Sequence, residues 1–560
     1  MPQSTTEHEK PEIFNIASLL TAAALVSPDA PAVVSRNGSD VRGRHLITFG
    51  ELDEDSTLLA SGFINLGLEP GTRVAVLTGP GPDFHMVIYA LFKAGLVPVV
   101  VDPGMGVRRF MECLSEGKPE ALLGIPKAQL LSLLFPNYFK TMKKRITLGR
   151  SWGWGRATVS KLLNNPGTAH HPVETRATDT AAILFTSGAT GPAKGVVYTH
   201  KMFGAQVELI GNNFDLVPLE KNLITFPLFG LFTPALRLTG VIPEMDPVRP
   251  GAADPKKIMT TILEENVKSL FASPALLKRL ALHAKSNKLR IKGVKTIICA
   301  GAPVLPQLAA DVKEVLEEGA SLYTPYGASE AMPLTKIEAR EIAEARGMSE
   351  QGFGMCVGKP VPGTEVMVMA LTDKPMKKLK EEDLLPQGEI GEFIARGPVV
   401  AESYFELPEE TAATMVPGPD GTPWRRMGDT GWKDVSGRLW FCGRKSQRVV
   451  TKTSTLFTIS CEATFNNHPL VSRSALVGVK VGADVTPVII VEPARKLPPA
   501  RWTALTEELT AMAKANPRTR GITTFLMKMD FPMDIRHNAK IGREKLAVWA
   551  EKELAKAAPA

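Results

Sequence analysis

Short apolar runs alternate with longer amphipathic stretches over the first two-fifths of the chain. The run 74–77 (VAVL) is closed by the turn sequence Gly-Pro-Gly-Pro at 79–82, and it predicts a buried strand. A helix is predicted over 84–94 and the next strand over 97–101. Because strands and helices alternate at this spacing, the pattern predicts parallel α/β sheets. Further strands are predicted in the same rhythm at 181–185, 223–226 and 294–299.

The pattern changes after about residue 350. Glycine and proline punctuate short alternating segments such as 388–395 (GEIGEFIA), which indicates a β-rich subdomain. From Gly443 onward the chain predicts a small α+β unit with an Ala/Lys/Glu-rich helical end. The predicted fold class is therefore α/β, with a large N-terminal domain over 1–443 and a small C-terminal domain over 444–560.

Composition narrows the classes of function. The 560 residues carry 66 basic and 58 acidic side chains, a net charge of +8. Mild basicity spread over a large chain, with no zinc-finger spacing or basic tail, predicts no nucleic-acid partner. The N-terminus has no apolar signal core, and the apolar stretch 88–101 is broken by Lys93 and Pro98. With five scattered cysteines, this predicts a soluble, cytoplasmic protein with reduced thiols.

Residues 121–173 contain no Asp or Glu, whereas cations and aromatic residues are interleaved there. Such a segment can rest on a membrane surface or meet an anionic partner. A solvated basic face with core aromatics is the favoured alternative. The cations are Lys140, Lys143, Lys144, Arg145, Arg150 and Arg156, beside Leu134, Phe135, Tyr138, Phe139, Trp152 and Trp154.

One loop carries most of the candidate chemistry. It follows the predicted strand 181–185 and combines three glycines, three hydroxyls and a lysine. Backbone N–H groups of such a loop can surround phosphate oxygens, and the lysine adds positive charge. The Walker A pattern is absent, since glycine follows the lysine. The candidate phosphate-binding residues are Thr186, Ser187, Gly188, Ala189, Thr190, Gly191 and Lys194.

Three later motifs extend this chemistry. Residues 323–330 (YTPYGASE) bring together an aromatic ring, a glycine, a hydroxyl and a carboxylate that can hold Mg²⁺. Asp429 stands between glycines, where a carboxylate can accept both hydroxyls of a ribose. Residues 535–541 (IRHNAKI) precede a helical tail.

In order and spacing, these motifs resemble the adenylate-forming superfamily of acyl-CoA synthetases, peptide-synthetase adenylation domains and luciferases, over about residues 14–550. The resemblance implies ATP and Mg²⁺ as cofactors and a C-terminal domain that rotates between half-reactions. Glu330 is implied as the Mg²⁺ ligand, and Lys540 as the catalytic lysine, acting with Lys194 and Glu330. The implied nucleotide-binding residues also include Gly301, Ala302 and Pro303 along the adenine, Tyr326 and Gly327 at its face, Ser329, Asp429 at the ribose, and Arg444.

Departures from the common pattern point to one branch. A histidine often found at position 230 is Gly230, within a predicted substrate pocket that includes Phe229 and Phe232. Ser446 stands at the usual hinge position, and 451–456 lack the glycine that borders the pantetheine path. Together with 101–106, 443–449 and 536–541, these features resemble the β-lactone synthetases of bacterial long-chain olefin biosynthesis.

That resemblance implies a long-chain β-hydroxy acid substrate, an intramolecular second step and no need for CoA. It also implies thiolase-like, reductase and lactone-decarboxylase partner enzymes. A long-chain acyl-CoA ligase is the alternative within the superfamily, and a non-catalytic acyl-nucleotide or lipid-surface binder is the alternative from another class. His200 is interpreted as structural, whereas for His537 a structural and a functional role are equally favoured.

Overall fold

The structure is a computed structural model that describes residues 12–151, 157–168, 172–185, 194–482, 484–533 and 541–557. Backbone contacts divide the chain into two compact units. Unit 1 comprises Met1–Pro247, Lys256–Phe271 and Ala401–Pro408, and unit 2 comprises the remaining segments. The predicted domain boundary between residues 443 and 444 stays a prediction.

Among the described residues, unit 1 is built from the first twelve strands and ten helices, except that Pro255 and Ala272 at the ends of two of them belong to unit 2. The strands are β1 Pro31–Ser35, β2 Leu46–Thr48, β3 Arg73–Leu77, β4 Val97–Val101, β5 Ala121–Gly124, β6 Lys144–Thr147, β7 Ala157–Thr158, β8 Thr180–Phe185, β9 Gly195–Thr199, β10 Lys221–Ile224, β11 Thr239–Ile242 and β12 Ser269–Ala272. The helices are α1 Ser18–Val26, α2 Phe49–Asn65, α3 Pro82–Lys93, α4 Val107–Glu116, α5 Pro126–Leu134, α6 Val159–Asn164, α7 His200–Asn213, α8 Pro227–Gly230, α9 Phe232–Ala235 and α10 Pro255–Glu264.

The predicted parallel α/β arrangement is confirmed in unit 1. Seven strands pair in the order β7-β6-β5-β3-β4-β8-β9, and all pairs are parallel except the antiparallel pair of β8 with β9. The strand predicted over 223–226 is β10, which begins at Lys221 and ends at Ile224, because the chain turns into α8 at Phe226. Local signals set other boundaries: α2 begins at a capping box in which Thr48 and Glu51 each accept a backbone N–H of the other.

Unit 2 contains the later strands and helices. Its strands are β13 Thr296–Cys299, β14 Ser321–Ala328, β15 Ala331–Glu338, β16 Met355–Pro360, β17 Glu365–Met369, β18 Gly391–Arg396, β19 Met415–Pro417, β20 Pro423–Lys433, β21 Leu439–Arg444, β22 Val449–Val450, β23 Thr455–Leu456, β24 Val471–Val481, β25 Asp484–Pro493 and β26 Thr524–Met527. Its helices are α11 Pro274–Ser286, α12 Pro306–Val315, α13 Ala339–Glu344, α14 Arg346–Glu350, α15 Pro408–Thr414, α16 Thr458–Asn466, α17 Pro499–Ala515 and α18 Arg543–Ala557.

The β-rich character predicted after residue 350 is also confirmed. Strands β17, β18, β20, β21, β16, β15, β14 and β13 hydrogen-bond in that order, and only β13 and β14 pair in parallel. The last segment is α+β as predicted: β24 pairs antiparallel with β25, which pairs in parallel with β26. Its core includes Phe465, Ile489 and Leu505, all fully buried.

Two further features bear on function. All five cysteines are unpaired and buried. Within the described ranges, no helix combines the length and the apolar character that crossing a bilayer requires.

Candidate nucleotide and acyl sites

A buried carboxylate lies at the centre of the candidate nucleotide site in unit 2. Asp429 on β20 faces Arg444 on β21 as a cross-strand pair, and the Arg444 guanidinium lies 3.0 Å from Oδ1 of Asp429. Tyr326, from β14, donates its hydroxyl to Oδ2 at 2.6 Å. Three separate strands therefore bring together three residues that the sequence assigned to one site.

Burial dominates the electrostatics of this cluster. Desolvation raises the pKa of Asp429, and the charges of Arg444 and the Tyr326 hydrogen bond oppose that shift only in part. The negative charge of Glu330 raises it further. No described donor makes an aligned hydrogen bond to Oδ1, although Arg444 is within ion-pair distance. The carboxylate thus keeps an acceptor that a hydroxyl donor could fill.

Close packing explains the glycine at position 327, in addition to its predicted place at the face of the adenine. A Cβ at this position would lie 2.3 Å from the carbonyl oxygen of Ala331, so only glycine fits at the closing end of the β14–β15 hairpin. Ser329 and Glu330 occupy the turn of that hairpin and are half-buried. The hairpin therefore fixes Tyr326 and Glu330 on one rigid element.

Metal binding depends on few carboxylates here. Among the described residues no group of three or more His, Cys, Asp or Glu side chains could hold a metal ion by itself. Glu330 and Asp429 are nevertheless close enough for the charge of one to shift the pKa of the other. One or two carboxylates plus substrate phosphates are the usual Mg²⁺ ligands, so Glu330 together with bound phosphates would fit such an ion.

The predicted adenine-lining segment forms the turn between β13 and α12. Gly301 has a φ of +95°, a conformation that favours glycine, and the following Ala302 and Pro303 lead to the helix. Gly301 and Pro303 are exposed. The segment is therefore accessible, as a ligand-lining turn must be.

Part of the catalytic prediction lies outside the described residues. The loop 186–191 (Thr186, Ser187, Gly188, Ala189, Thr190 and Gly191) and Lys540 with His537 belong to that part. Lys194 is described: it precedes β9, and its ammonium lies 5.1 Å from the centre of the Tyr404 ring. The roles assigned to the loop, to Lys540 and to Lys194 stay predictions.

The aromatic run after β10 folds into two short helices, α8 and α9, in unit 1. Phe229 is buried and stacks on Phe271, with ring centroids 4.1 Å apart, and it also contacts Phe232. A Cβ on Gly230 would lie 2.9 Å from Ile224 and 3.3 Å from His85. The glycine is therefore required by close packing.

A pocket in unit 1 lies beside this run, and its lining is apolar except for one side chain. Pro227 and Ile224 contribute to it, whereas Phe229, Gly230 and Phe232 do not, and their assignment to the substrate pocket stays a prediction. The pocket has about 310 Å³ of empty space, including the part open to solvent. The lining residues are Pro80, Gly81, Phe84, His85, Ile224, Pro227, Ile242, Pro243, Met245 and Pro247.

His85 is a site residue that the sequence did not reveal. Its Nε2 lies 3.0 Å from the carbonyl oxygen of Gly230, and its Nδ1 lies 3.4 Å from that of Gly81. A neutral imidazole has one N–H, so the shorter contact is the hydrogen bond and Nδ1 keeps a lone pair. Burial lowers the pKa of His85 to about 4, so the ring is neutral near pH 7. A histidine inside an apolar helix was the only signal.

His200 has the structural role predicted for it. It is buried, its Nδ1 accepts the backbone N–H of Ile16 at 3.2 Å, and its ring meets Phe92 edge-on. Burial lowers the pKa of His200 to about 4.

The segment after Arg444 is anchored within unit 2. Ser446 lies in a short 3-10 turn, Lys445–Gln447. The Lys445 ammonium contacts the buried Glu392 carboxylate at 3.0 Å and the Thr372 carbonyl at 2.8 Å, and Glu392 also pairs with Arg426. The lysine beside the predicted hinge thus holds the turn to β18.

Comparison with known proteins identifies the class. The family model described as AMP-binding enzyme matches residues 20–405. The chain belongs to this family and is an adenylate-forming enzyme. It is 41% identical over 550 residues to the olefin beta-lactone synthetase of Xanthomonas campestris, covering 97% of this chain and 98% of the relative. It is 42% identical over 555 residues to the olefin beta-lactone synthetase of Stenotrophomonas maltophilia, covering 97% and 99%.

Solved structures agree on the fold. The amide bond synthetase McbA of Marinactinospora thermotolerans superimposes with a TM-score of 0.76 at 21% identity, covering 96% of this chain and 99% of that one. The o-succinylbenzoate CoA synthetase MenE of Bacillus subtilis, in complex with ATP and magnesium, gives 0.73 at 18% identity, covering 94% and 98%. These two enzymes have different acyl acceptors, so the shared fold does not choose the second step.

Proposed function

We propose that this enzyme converts a long-chain β-hydroxy acid into a β-lactone at the expense of ATP. In the first step a carboxylate oxygen of the acid attacks the α-phosphorus, and pyrophosphate leaves. In the second step the β-hydroxyl oxygen attacks the carbonyl carbon. The bond from that carbon to AMP breaks, AMP leaves with the electron pair, and the hydroxyl proton passes to solvent. The observation that carries this proposal is the 41–42% identity to two olefin beta-lactone synthetases over nearly the whole chain.

The cluster in unit 2 supports the nucleotide roles. We assign Tyr326 and Gly327 to the adenine, Asp429 to the ribose, and Arg444 and Ser329 to further nucleotide contacts. The Asp429 oxygen without an aligned hydrogen bond supports the ribose assignment. Because that atom is covered in this structure, ribose binding requires a side-chain rearrangement. The turn Gly301–Ala302–Pro303 is assigned to the edge of the adenine.

Charge that develops on the phosphates must be stabilised. We assign this role to Lys194, the loop 186–191 and Lys540. Glu330 is assigned to Mg²⁺, which when bound would neutralise phosphate charge. Glu330→Gln keeps the shape of the side chain and removes its charge. We expect it to raise the Mg²⁺ concentration for half-maximal pyrophosphate release by about tenfold. Glu338→Gln, on the neighbouring strand β15, is the control, and an unchanged Mg²⁺ titration for Glu330→Gln would refute the assignment.

The second chemical step distinguishes this proposal from an acyl-CoA ligase. An acid whose hydroxyl lies two carbons from the carbonyl carries its own nucleophile, and orientation of an internal nucleophile can strongly favour ring closure over an external thiol. The stretch without glycine, 451–456, folds as a hairpin turn in which the Thr451 and Ser454 backbones hydrogen-bond at 2.9 Å. The missing glycine in this stretch agrees with the branch without CoA.

The product identifies the function. The purified enzyme is incubated with ATP, Mg²⁺ and a long-chain β-hydroxy acid, with and without CoA, and the products are identified by mass. We expect a β-lactone and AMP in both cases, with no rate increase from CoA. A thioester as the main product would establish the acyl-CoA ligase instead, and no turnover would establish a binding protein. The acid without its β-hydroxyl is the control, because it can be adenylated but cannot close.

The pathway around this reaction is part of the proposal. A β-hydroxy acid is supplied by reduction of a β-keto acid, which a thiolase-like condensation can form, and a lactone decarboxylase can consume the product. We propose that these three enzyme classes are functional partners. Five unpaired cysteines support a reducing compartment, and we propose the cytoplasm.

A further inference from the structure

Helix α5 in unit 1 buries polar side chains and exposes large apolar ones. The buried side includes Ala128, Gln129 and Ser132. Gln129 donates to the carbonyl oxygen of Ile146 at 2.9 Å, and Ser132 donates to the carbonyl oxygen of Gln129 at 2.7 Å. A helix that packs on a sheet normally buries its leucines and exposes its polar residues. The Gln129 amide and the Ser132 hydroxyl, which accepts from Arg145, link this helix to β6, and of its four leucines only Leu131 packs against the core.

The solvent side of α5 is apolar. Leu130, Leu133 and Leu134 have exposed fractions of 39%, 46% and 63%, and Phe135, at the end of the helix, has 47%. The three leucines are spaced i, i+3, i+4, which places them on one face. The next turn, Pro136–Tyr138, continues directly from the helix, since the Phe139 N–H bonds to the Pro136 carbonyl. The three leucines thus form an exposed apolar strip, and Phe135 is exposed just beyond its end.

Exposed lysines flank this strip at both ends. Lys127 lies in the first turn of α5, where a cation opposes the helix dipole, and Lys140 and Lys143 follow the apolar strip. No acidic residue occurs in the sequence between Glu120 and Glu174. The lysine in the first turn has an electrostatic cost for the helix, which a role in binding an anion explains.

Two of the cations in the predicted basic stretch have structural roles. The Lys144 ammonium donates to the carbonyl oxygens of Leu66 and Gly67. The Arg145 Nε donates to the Ser132 hydroxyl at 3.3 Å. Charge reversal at either residue would disturb packing, whereas the exposed Lys127, Lys140 and Lys143 can be changed to test a surface role.

We propose that α5 and the turn after it form a docking surface for an anionic lipid bilayer. The leucine strip enters the boundary between headgroups and acyl chains, while the flanking lysines contact anionic headgroups. Exposed lysines at both ends of the strip, in a segment whose sequence from 121 to 173 has no acidic residue, match a negatively charged surface, whereas protein interfaces normally mix both signs. The proposal does not depend on how the second chemical step proceeds, and it brings the enzyme to the phase into which long-chain acids partition.

Vesicle sedimentation of the full-length chain tests this surface. Phosphatidylcholine vesicles are compared with vesicles that also contain phosphatidylglycerol. We expect binding to the anionic vesicles that weakens as salt is added, because the lysine contribution is screened. Lys140→Glu/Lys143→Glu should weaken binding by about 25-fold or more, at roughly fivefold for each lysine lost. Leu133→Asn/Leu134→Asn should weaken it by about tenfold or more at every salt concentration.

Matched controls separate this surface from general effects. Leu263→Asn/Leu282→Asn removes two equally exposed leucines elsewhere, and Lys377→Glu/Lys378→Glu reverses two exposed lysines of unit 2. Both controls should bind like the unchanged chain, and all variants should keep pyrophosphate release with a short-chain acid, which reports folding. Failure of the unchanged chain to bind anionic vesicles would overturn the proposal. Equal losses in the controls, or an effect of the α5 variants on a protein complex but not on vesicles, would also overturn it.

Discussion

The nucleotide cluster of unit 2 and the pocket of unit 1 are both buried, but they bury opposite kinds of chemistry. Asp429 is held between a guanidinium and a phenol, so an ionisable carboxyl group lies where water is largely excluded. His85 lies among prolines and aliphatic side chains and is kept neutral. The first region suits a ligand rich in charge and hydroxyls, whereas the second offers an apolar lining with one polar side chain. Because the two regions suit different parts of the ligands, variants in one region should lose different properties from variants in the other.

The largest effect is expected outside both regions, at Lys540. Its ammonium is assigned to charge that develops in the transition state, so Lys540→Ala should lower the rate of adenylation by about 10²–10³-fold with every acid. ATP affinity should hardly change, which equilibrium binding of ATP can measure. Lys545→Ala, on α18, is the control. Near-normal turnover of Lys540→Ala would exclude the assignment.

Asp429→Asn is expected to have the next largest effect. The amide keeps the size of the side chain and can still accept from Tyr326, but it loses the charge that attracts Arg444. We expect kcat/KM for ATP to fall by about 10–100-fold, equally for long and short acids. Burial raises the pKa of Asp429, so the change should leave the thermal midpoint unaltered or higher. A loss confined to one class of acid would contradict the division between the regions.

His85→Phe should change the choice of acid and leave the use of ATP unchanged. The variant loses the hydrogen bond to the Gly230 carbonyl and the only polar side chain of the pocket lining. We expect a destabilisation of about 1–3 kcal/mol and an unchanged KM for ATP. The preference for a β-hydroxy acid over the same acid without the hydroxyl should fall, because Nδ1 can accept from that hydroxyl. Phe84→Leu is the control, since it alters the pocket lining without removing a polar atom. An equal loss of preference in both variants would assign the effect to shape.

The smallest effect is a difference in pH dependence. An unfolded histidine titrates near 6.5, whereas burial keeps the pKa of His85 at about 4, so the unfolded chain binds a proton that the folded chain does not. Stability is therefore lost as pH falls from about 6.5 to 4, by about 3 kcal/mol for this residue. Asp429 acts in the opposite direction: its raised pKa means that stability is lost as pH rises above about 4. Thermal midpoints between pH 7 and 4.5 should fall less steeply for His85→Phe than for the unchanged chain; parallel curves would exclude this account.

The same two regions show how far the sequence could go. Short motifs drew attention to Tyr326 and Asp429, whereas the adenine role of Tyr326 and the nucleotide role of Arg444 were implied by the family resemblance. Their proximity follows from strand order, which the motif pattern implied through a family resemblance. His85 and Gly230 are 145 positions apart, and only the packing of α3 against α8 shows that one fills the space left by the other. Helix α5 shows a related limit, since periodicity locates two faces of a helix but does not say which one the sheet takes.

The buried cysteines have a practical consequence for experiments on domain rotation. Burial raises the pKa of Cys113, Cys356 and Cys442 to about 11 and that of Cys461 to about 12, and it raises the pKa of Cys299 as well. Maleimide reagents attack the thiolate, so all five native thiols should react slowly near neutral pH. Single cysteines placed at exposed positions could then carry fluorophores without prior removal of any native cysteine. Energy transfer between such a pair would test the predicted rotation of the C-terminal domain between half-reactions in an otherwise unaltered enzyme.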